Sequence, residues 1–277
     1  MDYNEIIWTI DPTSPGSEIL VAKLSEFGYE SFEETSSGVK SYIRTDQFNE
    51  QIIKDIEQQL TGSFKISFQV NLIREQNWNK VWEEGYAPVV ISDEIYVFAP
   101  FHNRNDNYRY QLEIEPRMSF GTAHHETTSL MMESMLGEDF YGTSVLDMGC
   151  GTGILAILSA MMGARNIIAI DNDENAVENA RDNVRKNKCK NIYVHLGDSK
   201  VPDTTFDVIL ANINRNILLK DIPEYSRHLK SGGILLVSGF YENDLSAIEE
   251  LASEYDLKFT GKLEKNGWIA ARFIKPQ

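Results

Sequence analysis

Several features are scarce in this 277-residue sequence. It has two cysteines, Cys150 and Cys189, and their spacing fits neither a zinc site nor a disulfide framework. No apolar run approaches the roughly 18 to 20 residues that a membrane-spanning helix needs. The first residues, Met-Asp-Tyr-Asn-Glu, lack the basic and apolar regions of a secretory signal. We therefore expect a cytoplasmic protein without a metal, a disulfide or a membrane segment.

Basic residues are also in short supply. The chain has 26 Lys and Arg against 42 Asp and Glu, which gives a formal net charge of -16. This charge disfavours direct binding to nucleic acid, whose phosphates would be repelled. It favours encounter with a cationic partner.

The first 74 residues predict a small α+β domain of the ferredoxin-like type. Apolar and alternating runs separated by turn residues indicate the order βαββαβ. The first helix is expected to place Leu20, Val21, Leu24 and Phe27 on one face and to end at Gly28. Residues 75–85, with Trp78 and Trp82 four positions apart, predict a linker helix. The domain has no catalytic cluster of residues, which suits substrate recognition.

Residues 86–277 predict a second, larger domain. Strand and helix patterns alternate along most of it, which is typical of a doubly wound α/β fold with a mostly parallel sheet. The tail differs, because the apolar runs at 257–263 and 268–274 are joined by a turn of only four residues. Two strands joined in this way must be antiparallel, so the sheet should end in a reversed hairpin.

The most informative motif is the run of glycines that follows an apolar strand and precedes an apolar helix. Gly149, Gly151 and Gly153 form a G-x-G-x-G turn, and Ile154 stands where a dinucleotide-binding fingerprint has its third glycine. Open α/β sheets bind ligands at such turns. Asp171 ends the next strand, where its carboxylate can bind both ribose hydroxyls of an adenosine. Asp198, after the third strand, is placed for the adenine edge.

Each of these residues also has a purely structural interpretation. The glycines can make a tight turn without a ligand, and Asp171 can cap the following helix, although Asp173 could do so instead. Cys150 is expected to pack in the turn rather than act as a nucleophile.

The order along the chain is a strand, a glycine turn, a helix, a second strand and an acidic residue. This order resembles that of the class I S-adenosylmethionine-dependent methyltransferases. The resemblance implies a Rossmann-like sheet of seven strands that ends in a reversed hairpin, and S-adenosylmethionine as cofactor. Two further segments narrow the family: Ser119-Phe120-Gly121-Thr122-Ala123-His124-His125-Glu126-Thr127-Thr128 and Leu210-Ala211-Asn212-Ile213-Asn214. With the N-terminal domain and the tryptophan-bearing linker, they resemble the bacterial methyltransferases of ribosomal protein L-eleven (L11).

This resemblance implies roles for individual residues. The loop that opens at Phe120 closes on the cofactor, and Thr128 contacts it. Gly149, with Gly151 beside it, and Asp171 bind the cofactor, while Asn212 lies where the methyl donor meets the acceptor amine. Ala123 departs from the family pattern, in which a glycine is usual.

The chemistry expected at Asn212 is the positioning of an amine. Its amide oxygen can accept hydrogen bonds from the amine and direct the nitrogen lone pair at the sulfonium methyl group. His124, His125 or Glu126 could take up the proton that the amine must lose, but a loop histidine is more often a structural hydrogen-bond partner than a base. A zinc site at His125-Glu126 is rejected, because Ser129 stands where a zinc-protease helix has its second histidine.

The acceptor is expected to be a flexible amine. The run Asn212-Ile213-Asn214-Arg215 lacks the proline and aromatic residues that clamp planar bases and amides. The resemblance implies methylation of lysine ε-amines, and of an N-terminal α-amine, of L11. Another basic protein or a small amine is the alternative acceptor. A nicotinamide oxidoreductase is disfavoured by the missing third glycine, and a non-catalytic binding module of the same fold is a further alternative.

Overall fold

The computed structural model describes residues 2–74, 82–83, 85–117, 119–198 and 204–277. Their contacts divide the chain into two compact units, one that ends at Gly85 and one that begins at Tyr86. The predicted linker helix over 75–85, with Trp78, lies outside the described residues except for positions 82, 83 and 85. Within the described part of the chain, every helix is too short or too polar to traverse a bilayer.

The N-terminal unit is a four-stranded antiparallel sheet with two helices. Its elements are β1 (Tyr3–Asp11), α1 (Thr13–Ser25), β2 (Ser31–Thr35), β3 (Gly38–Arg44), α2 (Glu50–Leu60) and β4 (Lys65–Ile73). The sheet order is β2-β3-β1-β4, with β1 antiparallel to both β3 and β4. This topology is the ferredoxin-like arrangement that the sequence predicts.

Alternation along β1 builds the core of this unit. Ile6, Trp8 and Ile10 are buried, and α1 and α2 contribute Leu20, Leu24, Ile53 and Ile56 to the same core. Trp8 Nε1 donates a hydrogen bond to Ser41 Oγ at 3.1 Å, so its one polar atom is satisfied. The prediction for Phe27 is wrong. Helix α1 ends at Ser25, so Phe27 lies past the helix and is exposed.

The second unit contains the remaining elements. They are β5 (Val89–Ile91), β6 (Ile95–Phe98), β7 (Tyr110–Glu113), α3 (Glu126–Leu136), β8 (Ser144–Met148), α4 (Ile154–Met161), β9 (Asn166–Asp171), α5 (Glu174–Lys186), β10 (Ile192–Leu196), β11 (Phe206–Asn212), α6 (Arg215–His228), β12 (Leu229–Tyr241), α7 (Leu245–Glu254), β13 (Lys258–Lys265) and β14 (Trp268–Ile274). Strands β5, β6 and β7 form a small separate sheet.

The large sheet confirms the predicted α/β class. Its order is β10-β9-β8-β11-β12-β14-β13, with the first five strands parallel. Strand β14 inserts between β12 and β13 and is antiparallel to both, which confirms the reversed hairpin. Alternate residues of β11 face opposite sides of the sheet: Val208 and Leu210 join the core under α3, α4 and α5, and Ile209 and Ala211 join the core under α6 and α7.

Two elements differ from expectation. Helix α7 has no predicted counterpart, although Leu245, Ile248 and Ala252 are buried at helical spacing. Strand β12 is longer than the predicted 233–238 and has an irregularity between Ser238 and Phe240. Both features lie against the reversed hairpin, so tertiary pairing rather than local sequence pattern determines them.

Candidate active site

A cavity of about 520 Å³ opens at the carboxyl ends of β8 and β11. These two strands are neighbours at the point where the strand order of the sheet reverses, and open α/β sheets bind their ligands at this position. Six of its lining residues matter most for the chemistry: Phe120, Gly149, Gly151, Asp171, Asn212 and Trp268. The fold therefore brings five of the predicted site residues, and one that was not predicted, into one cavity.

The glycine turn after β8 requires glycine for two physical reasons. Gly149 and Gly151 have φ angles of 68° and 53°, in the left-handed region that other residues rarely adopt. A Cβ atom on Gly149 would lie 2.3 Å from a methyl carbon of Ile213, and one on Gly151 would lie 2.3 Å from the carbonyl oxygen of Phe120. The glycines allow neighbouring backbone to approach the turn from two sides.

The Phe120 segment is bonded directly to this turn. The Thr152 N–H donates to the Phe120 carbonyl at 2.9 Å, and the Thr152 hydroxyl donates to the Gly121 carbonyl. Ala123 has a φ of 66°, in the left-handed region that favours glycine, and is buried in the core.

Asp171 lies beside the glycine turn and binds it. Its Oδ2 accepts a hydrogen bond from the Gly151 N–H at 2.8 Å, and its Oδ1 accepts one from the Asp173 N–H at 3.0 Å. Asp173, not Asp171, caps α5 by accepting from the Asn175 N–H at 2.9 Å. The capping interpretation of Asp171 is therefore unnecessary, and its carboxylate has further lone pairs available toward the cavity.

Asp198 lies in an adjoining smaller cavity of about 190 Å³. The two cavities share Gly149, Asp171 and Ile213, whereas Asp198 and Gly197 line only the smaller one. Asp171 therefore stands between the main cavity and Asp198. This is the order expected if a ribose lies at Asp171 and an adenine extends past it.

Asn212 has the most unusual hydrogen-bonding state in the cavity. Its Nδ2 donates to the Thr128 hydroxyl at 3.3 Å, and its Oδ1 is shielded from solvent without a partner among the described residues. Thr128 is itself fully buried and does not line the cavity, whereas its neighbour Thr127 does. Thr128 thus fixes the orientation of an amide that lines the cavity and whose acceptor oxygen is buried without a partner.

Comparison with known proteins agrees with this geometry. Residues 17–276 match the family model described as Ribosomal protein L11 methyltransferase (PrmA). A protein of that name from Phocaeicola vulgatus is 40% identical over 99% of both chains, and one from Porphyromonas gingivalis is 41% identical over 92% of this chain and 90% of the other. The crystal structure of ribosomal protein L11 methylase from Lactobacillus delbrueckii subsp. bulgaricus superposes with a TM-score of 0.64 at 26% identity, covering 69% of this chain and all of the other.

The chain belongs to the ribosomal protein L11 methyltransferase (PrmA) family. It is a methyltransferase, and its cofactor is S-adenosylmethionine. The sequence predicted the same family from the glycine turn, the Asn212 segment and the expected strand topology. The resemblance is therefore confirmed over the whole chain.

The cavity fits this cofactor rather than a dinucleotide. Among the described residues that line it, none is Lys or Arg, and two are the carboxylates of Asp171 and Asp173. A pyrophosphate would be repelled there, whereas a sulfonium cation would be attracted. Gly149 and Gly151 line the cavity without side chains, and Asp171 can accept hydrogen bonds from ribose hydroxyls.

Asp147, the penultimate residue of β8, is a buried acid close to the site that the sequence analysis did not single out. It is fully buried, and its Oδ2 accepts from the Ala156 N–H at 3.0 Å at the start of α4. Burial raises its pKa to about 7; the Ala156 hydrogen bond opposes this, and the nearby Asp171 carboxylate adds to it. The available signal was the position of an acid immediately before the glycine turn.

The three candidate bases differ in where they lie. His125 lines the cavity and caps α3, its Nδ1 accepting from the Thr127 N–H at 3.3 Å. His124 lies outside the cavity, with Nε2 2.9 Å from the Ala87 carbonyl oxygen. Glu126 is also outside, and the hydrogen bond from Asn266 holds its pKa below the usual range. Only His125 is positioned near reacting groups, and its Nδ1 lone pair is already in use.

Trp268 is a lining residue that was predicted only as the start of a strand. It reaches the cavity because β14 runs antiparallel beside β12, which places its first residue at the carboxyl edge of the parallel strands. The described residues contain no cluster of three or more metal-ligating side chains.

Proposed function

We propose that this methyltransferase transfers methyl groups to lysine ε-amines, and to the N-terminal α-amine, of ribosomal protein L11. The names of the relatives support L11 as the protein substrate. Another basic protein or a small amine is the alternative acceptor. The proposal places the reaction in the cytoplasm, where ribosomal proteins are made.

The free amide oxygen of Asn212 is the observation that carries the amine assignment. A buried acceptor without a partner costs about 1 to 3 kcal/mol, and a ligand donor at Asn212 would remove this cost. An amine offers such a donor together with a nucleophilic lone pair. When Asn212 Oδ1 accepts one amine hydrogen, the lone pair of the nitrogen is directed away from that bond and toward the methyl donor.

Each transfer forms one N–C bond and breaks one S–C bond, and the amine nitrogen loses a proton. S-adenosylmethionine supplies the methyl group as an electrophile on a positively charged sulfur. Gly149, Gly151, Asp171 and Asp198 would hold the nucleoside portion, with Phe120 covering it and Thr128 fixing Asn212. The chain's own task is therefore positioning.

The proposal assigns no general base to His124, His125 or Glu126. Because Nδ1 of His125 accepts from the Thr127 N–H, the neutral imidazole has its proton on Nε2, and the one lone pair that could take up a proton, on Nδ1, is already engaged. The bound acceptor can lose its proton to water inside the site, since desolvation there lowers the pKa of a lysine.

The segment after β11 supports a flexible acceptor. Asn214 caps α6 by accepting from the Ile217 N–H at 3.2 Å, so its amide is not available to clamp a planar base. A lysine side chain needs no such clamp.

The N-terminal domain, residues 1–74, is proposed to recognise the basic protein substrate. The 75 residues before Gln76 contain 13 acidic and 6 basic side chains, a net charge of 6 − 13 = −7. The domain has a core of its own and contributes no residue to the cavity. The charge favours association with a cationic ribosomal protein.

Intact-mass analysis of ribosomal proteins tests the proposal. Cells without the gene should show L11 lighter by whole multiples of a methyl mass, and the wild-type gene should restore the mass. Asn212→Ala should restore it poorly, with turnover lowered about 10²-fold and cofactor affinity nearly unchanged. Asn214→Ala is the matched control, because it removes a helix cap but no free acceptor. An unchanged L11 mass, with a different protein or small amine losing methyl groups, would replace L11 by the alternative acceptor.

A further inference from the structure

Four aromatic rings form a continuous row along one side of the cavity. Phe120 lies 5.2 Å from His125, His125 lies 4.9 Å from Trp268, and Trp268 stacks on Tyr241 at 4.0 Å, all measured between ring centroids. Phe120, His125 and Trp268 line the same cavity as Asn212. We call these four residues the aromatic wall.

The outer rings of the wall are open to solvent: Phe120 is 53% exposed and Tyr241 is 50% exposed. The rings come from three separate elements: the Phe120 loop and α3 cap, the end of β12 and the start of β14. Their convergence on one cavity is therefore a tertiary feature rather than a consequence of one amphipathic segment.

The charges around the wall favour a cation. The described lining residues of the cavity include the carboxylates of Asp171 and Asp173 and no Lys or Arg. Aromatic faces attract cations through the ring quadrupole, most strongly for Trp, by about 0.5 to 2 kcal/mol. An alkylammonium group placed against Trp268 would meet both effects, while Asn212 would accept any hydrogen that the nitrogen still has.

We propose that Trp268, backed by Tyr241, is a specificity-determining residue that binds the acceptor as an alkylammonium group through its ring face. This inference rests on the proposed amine acceptor and adds how the amine is held. The two contacts respond differently to methylation. Each added methyl group removes a donor from Asn212, but the charge and the attraction to the ring remain. Trp268 therefore recognises the nitrogen by its charge and not by its hydrogens.

Binding of a quaternary ammonium probe tests this directly. Choline and its uncharged carbon analogue dimethylbutanol have the same shape and differ in charge. The full-length protein is saturated with S-adenosylhomocysteine and labelled with fluorotryptophan, and ligand binding is measured by fluorine NMR. It should bind choline about two- to thirty-fold more tightly than dimethylbutanol. Trp268→Leu should abolish the preference and Trp268→Phe should keep part of it. Tyr193→Leu, an exposed aromatic on β10 outside the cavity, should leave it unchanged.

Three results would overturn the proposal. The first is equal binding of both probes, or binding of neither, to the wild-type protein. The second is a choline preference that persists in Trp268→Leu. The third is a Trp268→Leu variant that loses its preference for S-adenosylmethionine over S-adenosylhomocysteine, which would assign the ring to the sulfonium. These binding results do not depend on turnover. Failure of L11 methylation alone would instead count against the proposed function.

Discussion

At the scale of single residues, the site depends on polar atoms with assigned partners. Asp171 uses one oxygen for the glycine turn and one for the Asp173 N–H, and Asn212 uses its amide nitrogen for Thr128. What remains free on each side chain faces the cavity and defines what a ligand can offer. The two residues should therefore fail in different ways when they are replaced.

Asp171→Ala should weaken binding of S-adenosylmethionine by about tenfold or more. A charge-assisted hydrogen bond contributes about 1.5 to 3 kcal/mol, and the ribose would lose its charged acceptor. Isothermal calorimetry measures the change. Asn49→Ala is the control, because it removes the cap of α2 and lowers stability at a residue that does not line the cavity. If Asp171→Ala is folded and binds S-adenosylmethionine as tightly as the wild type does, Asp171 only stabilises the glycine turn.

Asp147 should make the stability of the protein depend on pH. Its folded pKa, about 7, is above the unfolded value of 3.8, so the folded state binds the proton more tightly. The contribution of Asp147 to the free energy of unfolding is largest at low pH. It declines as pH rises from about 4 to 7, by up to about 4 kcal/mol. Asp147→Asn should remove the decline, so its stability relative to wild type should increase between pH 5 and pH 8 in urea unfolding.

Asp207 is the opposite case and a control for that measurement. Burial alone would raise its pKa, but Lys230 and Ser144 hold it below the usual range. The stability that ionised Asp207 contributes is present above its pKa in the unfolded state. It is lost only as pH falls through the lower pKa of the folded state. Asp207→Asn should therefore be destabilised by a similar amount at pH 5 and pH 8. If Asp147→Asn behaves in the same way, the buried carboxyl is ionised across that range.

At the scale of elements, the glycine turn and the Phe120 loop act as one unit. Thr152 donates to both Phe120 and Gly121, and Gly151 permits the approach of the Phe120 carbonyl. The turn after β8 therefore positions the loop that covers the cavity. A change in one should be detected in the other.

Gly151→Ala should displace the Phe120 loop. The added Cβ would meet the Phe120 carbonyl oxygen at 2.3 Å, and the left-handed φ costs a further 1 to 3 kcal/mol or so. Lower thermal stability and faster amide exchange at residues 119–128 are the expected results. Gly261→Ala, on β13, has no atom within 4 Å of the new Cβ and should change little. Unaltered exchange in the loop of Gly151→Ala would show that the loop is held by other contacts.

At the scale of the whole molecule, the proposed division of chemistry and recognition follows the two compact units. Every cavity-lining residue lies after Tyr86, and the N-terminal unit has its own buried core. The acidic charge of that unit is the property that suits a basic protein partner.

A chain that begins at Tyr86 should retain S-adenosylmethionine binding and lose efficient methylation of L11. Docking raises the effective concentration of the target amines, so the rate at sub-saturating L11 should fall by at least about tenfold. A short lysine peptide, too small to use the docking domain, should be methylated equally by both chains and serves as the control. Raising salt should weaken L11 binding of the full chain, because exposed charges are screened. Equal L11 rates for both chains would refute the docking role.

The sequence by itself determined the parts of this protein that depend on local pattern. Alternation and helical spacing predicted the four-stranded and seven-stranded sheets, and the short turn predicted at 264–267, which is two residues long in the structure, required the reversed hairpin. The glycine turn and Asp171 were predictable because they follow directly on β8 and β9, whose carboxyl ends must lie at one edge of a parallel sheet.

Only the tertiary structure decided which distant side chains meet. Strand β14 places Trp268 beside His125, and Thr128 orients Asn212, although no local pattern links these pairs. The free oxygen of Asn212 and the raised pKa of Asp147 are likewise properties of burial, which depends on every element packed around the residue. Local periodicity records which face of an element is apolar; it contains no information about which partner from another part of the chain will cover that face.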